Sequence, residues 1–121
     1  MSPEPEQRAM GTVAEETFRR LTIGDRALLA TFGDEDATRR LGLALDARVE
    51  SLIRLAALIA LDAPYASFRC AVEAAQRAGA REEDLLATLV LLGDIVGTPK
   101  VISAAPRIAL AAGYDVEAAL E

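Results

Sequence analysis

Residues 46–61 read DARVESLIRLAALIAL, and this stretch decides the fold class. Asp46 can accept hydrogen bonds from the free N–H groups of a helix start, and Val49, Leu52, Ile53, Ala56 and Ile59 follow at helical spacing. A helix over 46–61 is expected. Downstream, Asp62-Ala63-Pro64 reads as a stop and restart, because proline is tolerated in a first turn, and Gly79 suits the end of a helix over 63–78. Arg81-Glu82-Glu83-Asp84 places acids where they complement a helix dipole, and the apolar run Leu85 to Val96 ends at Gly97, giving a helix over 82–96. Thr98-Pro99 reads as a cap and first-position pair for a last long helix reaching Gly113. Pro106 is expected to kink or divide that helix, and Asp115 to cap a short terminal turn.

Upstream, Thr12-Val13-Ala14-Glu15 and Thr22 to Asp25 share a Thr-x-x-acid spacing that predicts two short helices. Gly33-Asp34 breaks the chain ahead of Arg39 and Arg40. With aromatics at 4% and Ala and Leu dominant, no strand pattern competes. The expectation is an all-α, compact helical bundle. Its 121 residues suit a tail over 1–10, where MSPEPEQR carries the disorder signal, and one domain over 11–121.

Nineteen acids against thirteen bases give a net charge of −6, so no basic stripe suits a phosphate backbone and nucleic acid is a poor partner. The longest uncharged apolar stretch, Leu85 to Gly93, is about half of the roughly 18 residues that would suggest a membrane span. The single cysteine, Cys70, excludes an intrachain disulfide, and no signal segment opens the chain, so a soluble cytoplasmic protein is expected. Leu55 to Leu61 and Leu85 to Leu92 are apolar on every side, whereas a surface helix of a small monomer keeps a polar face. A homo-oligomer is expected; both helices lying at the centre of one bundle is the alternative.

Groups able to do chemistry are few. The absence of histidine removes the commonest acid–base group near neutrality and the commonest metal ligand. Lys100 is the only lysine, and there is no glycine-rich phosphate loop, so neither metal nor cofactor is expected. Asp34-Glu35-Asp36 lacks the spacing of a calcium loop and reads as a solvated helix start. Asp94 falls on an apolar face with Ala87, Val90 and Leu91. It reads as a desolvated acid or base, or as one half of an ion pair with Arg54, Arg69 or Arg107. Cys70, with Ser67, Arg69 and Glu73 within a turn, reads as a reactive thiol or an inert core residue. Glu50 and Arg54, four apart, form a surface pair in the simplest reading.

From Leu45 onward the chain resembles the carboxymuconolactone decarboxylase family, which includes the alkylhydroperoxidase D-like disulfide reductases. The resemblance rests on Leu45-Asp46 leading into Ser51-Leu52-Ile53-Arg54-Leu55-Ala56, on Ala78-Gly79, on Arg81-Glu82-Glu83-Asp84-Leu85 and on Gly97-Thr98-Pro99, over about residues 45 to 113. It implies an all-α fold and trimers or hexamers. Redox members carry two cysteines and a histidine at positions that fall here on Pro64, Ser67 and Ala71, and a helix-starting glutamate that falls on Ser51 or Glu50. With one thiol, the usual disulfide exchange has no partner. The decarboxylases' histidine falls on Ala71, or on Cys70 in the other register.

Two functions are consistent with these residues. One is a cofactor-independent lyase of decarboxylase type, in which Arg54 or Arg69, with Ser67, holds a small organic acid or lactone and Cys70, Glu50 or Asp94 moves a proton. The other is a non-catalytic oligomer that binds a ligand or serves as a scaffold. The lyase reading expects Ser67, Cys70 and Ala71 to face a cavity within reach of Arg54 or Glu50. The scaffold reading expects Arg54 solvated and paired to Glu50.

Overall fold

The computed structural model describes residues 5–114. The expected turn at Asp115 lies outside these, as do residues 1–4 of the expected tail. Every regular element among the described residues is helical, and no helix among them is long and apolar enough to cross a membrane. The chain divides into two compact units, Met1–Ala44 and Leu45–Glu121.

In the first unit, helix α1 spans Pro5–Thr22, so it starts inside the segment expected to be a tail. Proline suits a first turn, and the following Glu6-Gln7-Arg8-Ala9-Met10 are strong helix formers. The expected start at Thr12 is therefore interior to the helix. Thr22 does not cap either: its hydroxyl donates back to the Phe18 carbonyl at 2.8 Å. The turn closes at Gly24, with a φ of 66° that favours glycine, and Asp25 caps α2 (Arg26–Leu29) by accepting from the Leu28 N–H at 3.0 Å. That bond, with help from Arg20, holds the Asp25 carboxyl below its ordinary range. Helix α3 spans Ala37–Arg40. In front of it, Asp34 accepts from the Asp36 N–H at 2.9 Å and pairs with Arg40 at 2.6 Å.

The second unit is a four-helix bundle of α4 (Ala47–Ala60), α5 (Tyr65–Arg77), α6 (Glu82–Val96) and α7 (Thr98–Ala111). Helix α4 packs on α5 and α6, α7 packs on the same two, and α4 meets α7 across the middle. The core comes from Leu55 and Ile59, Phe68, Val72 and Ala75, Leu85 and Leu89, and Ala104 and Ile108, each set three or four residues apart on one helix face. Val49 and Ile53, which share the helical spacing read over 46–61, are 40% and 53% exposed. Helix α4 is apolar around most of its circumference, so periodicity alone does not select its inner face.

Helix ends follow local chemistry. Asp46 accepts from the Arg48 N–H at 2.9 Å and caps α4 as expected. The chain leaves α4 through a turn in which the Asp62 N–H donates to the Ile59 carbonyl and the Ala63 N–H to the Leu58 carbonyl. The same pair of bonds ends α1, α3, α5 and α7, where Gly24, Gly42, Gly79 and Gly113 take the positive-φ position. Asp62 takes that position after α4 with a φ of 51°, and α7 anchors its carboxylate. Ser103 donates to Asp62 at 2.9 Å, and Arg107 donates to Asp62 at 3.2 Å and to the Ala63 carbonyl at 2.9 Å. Gly97, with φ 91°, both ends α6 and starts α7, so Thr98 is the first helical residue rather than the cap expected. Pro106 does not divide α7. Buried Ala104 and Ile108 hold the helix on both sides of it, and packing overrides the local cost.

Asp84 ties the starts of α4 and α6 together. It accepts from the backbone N–H of Arg81 at 2.8 Å and from Arg48 Nε at 3.0 Å, with a second, shorter bond from Arg48 Nη2. The Arg48 guanidinium, then the Arg81 N–H, hold its carboxyl at about 2 instead of 3.8. A carboxyl depressed on folding stabilises the native state above its unfolded pKa, and that contribution is lost as pH falls through the folded value. Lowering pH from about 4 to 2 is therefore expected to reduce the urea midpoint of the native protein. The Asp84→Asn variant is expected to start lower and to change less across the same window. Parallel acid limbs for the two proteins would contradict this assignment.

Candidate functional site

The expected site residues sit on the outside of the bundle. On α5, Phe68, Val72 and Ala75 turn inward and are fully buried, whereas Arg69 and Cys70 are exposed. Ser67 and Ala71 lie at the edge, and Ala71 packs against the core. Cys70 is thus neither the inert core residue nor the wall of an interior cavity that its position suggested, because the helix presents its opposite face to the core.

On α4, Arg54 donates to Glu50 at 3.2 Å, with side-chain exposures of 66% and 39%. On α5, Arg69 donates to Glu73 at 3.4 Å, again four residues along the helix. Among the described residues no hydrogen bond or ion pair joins the α4 group to the α5 group. These are exposed i, i+4 pairs of the ordinary surface kind, which stabilise by about 0.3–0.5 kcal/mol each.

Asp94 lies in a different setting from the one expected. Its neighbours are apolar as expected, but the face it shares with Ala87, Val90 and Leu91 looks away from the core, and Asp94 is exposed. None of the three ion pairs proposed for it forms, since Arg54 holds Glu50, Arg69 holds Glu73 and Arg107 holds Asp62. Among the described residues no polar or charged residue is buried, so the protomer itself supplies no desolvated acid or base. The described residues also hold no cluster of three or more His, Cys, Asp or Glu placed for a metal ion.

The notable feature of this surface is apolar. Leu86, Val90, Leu91 and Ile95 of α6 are 60–77% exposed, Ile53 and Leu61 of α4 are 53% and 75%, and Ile102 and Leu110 of α7 are 65% and 55%. Helix α5 instead shows Arg69, Glu73, Gln76 and Arg77 to solvent. The bundle therefore has one charged side and a broad apolar one, of the kind that marks an interaction surface.

Sequence reasoning missed the Asp84 clamp and the Asp62 anchor. Asp84 carried a local signal, an acid three residues after a helix start, but its partner Arg48 is 36 residues away.

The described residues from Leu45 onward thus form a four-helix bundle with an apolar core and exposed apolar side chains on α4, α6 and α7. The chain belongs to the carboxymuconolactone decarboxylase family, whose sequence profile matches residues 26–111. The match starts well before Leu45 and so includes α2 and α3, beyond the stretch that carried the resemblance in sequence. No curated protein and no solved structure matches the chain.

Proposed function

We propose that this chain is a homo-oligomeric binding or scaffold member of the family, assembled as three or six copies through its apolar flank, and that it does not run the family's thiol–disulfide chemistry. The observation that carries the reading is the outward placement of Glu50, Arg54, Arg69 and Cys70, with both arginines already paired to acids on their own helices. One thiol leaves an internal disulfide without a second sulfur. Covering the four large α6 side chains contributes on the order of 5 kcal/mol per copy, against roughly 4–15 kcal/mol for lost translational and rotational freedom. The α6 face alone is therefore marginal, and α4 or α7 must be covered with it.

The second reading is the cofactor-independent lyase acting on a small organic acid or lactone, which family membership favours. In that case the acid–base groups have to be desolvated by assembly, because no polar residue of the described protomer is buried. The test is proton NMR of the full chain incubated with a panel of unsaturated dicarboxylic acids and their lactones. The binding or scaffold reading expects no product above the protein-free blank. Turnover that falls at least tenfold in Arg54→Ala would overturn it in favour of the lyase.

A further inference from the structure

We draw no further inference here: the strongest candidate, the exposed apolar face that Leu86, Val90, Leu91 and Ile95 form along the outside of α6, carries nothing beyond the assembly already proposed, because nothing in the structure shows what covers it.

Discussion

Replacing Phe68 by alanine is expected to lower the unfolding free energy by about 3–5 kcal/mol, the cost of removing a large aromatic group from a packed core. Phe68 is 0% exposed and stands among Leu55, Ile59, Val72 and Ile108, all within 3% of full burial. Because α5 supplies only Phe68, Val72 and Ala75 as fully buried residues, its attachment depends largely on this one ring. The matching control is Cys70→Ser, two positions along and exposed, which is expected to stay within about 0.5 kcal/mol of the native protein. Urea unfolding followed by circular dichroism at one fixed protein concentration reads both, since assembly makes stability concentration-dependent. A large loss from Cys70→Ser with a small one from Phe68→Ala would mean that the inner and outer faces of α5 are reversed.

The second large effect is on assembly. Leu91→Glu puts a carboxylate into the middle of a face whose large neighbours are 75–77% exposed in the single protomer. In a solvated protomer that change is nearly neutral for folding. Inside an apolar contact an unpaired charge costs about 3 kcal/mol or more, which corresponds to at least a hundredfold loss of association. The variant is expected to keep its helix content and sediment as a 12.8 kDa chain at concentrations where the native protein is assembled. A Leu91→Glu protein that assembles like the native one would place the interface elsewhere.

How far the fold was legible varies along the chain for physical reasons. Helices α4 and α6 came out within a residue of their observed bounds, because Asp46, the acids after Arg81 and Gly97 are strong local signals. Helix α1 starts earlier than expected because a Thr-x-x-Glu spacing looks like a cap wherever it falls, and here the helix-former run upstream of Thr12 continues the helix to Pro5. The direction in which helices face was harder. With α4 and α6 apolar nearly all round, periodicity has no contrast, so it does not tell that Val49, Ile53 and Asp94 all lie on outward faces. The pairs Glu50–Arg54 and Arg69–Glu73 were readable from their four-residue spacing. Contacts between distant residues, Arg48 with Asp84 and Ser103 and Arg107 with Asp62, required the packed bundle to appear.

These contacts also explain why the candidate site stands apart from the core. The long-range polar bonds clamp helix ends, the short-range ones decorate the surface, and the interior is left to aliphatic side chains and one phenylalanine. On the oligomeric reading proposed above, groups that one protomer leaves in water would be desolvated where protomers meet.

The most direct test of that claim is the molar mass of the full chain by static light scattering across a micromolar dilution series. The account predicts a mass several times 12.8 kDa that persists on dilution, and a constant 12.8 kDa would contradict it.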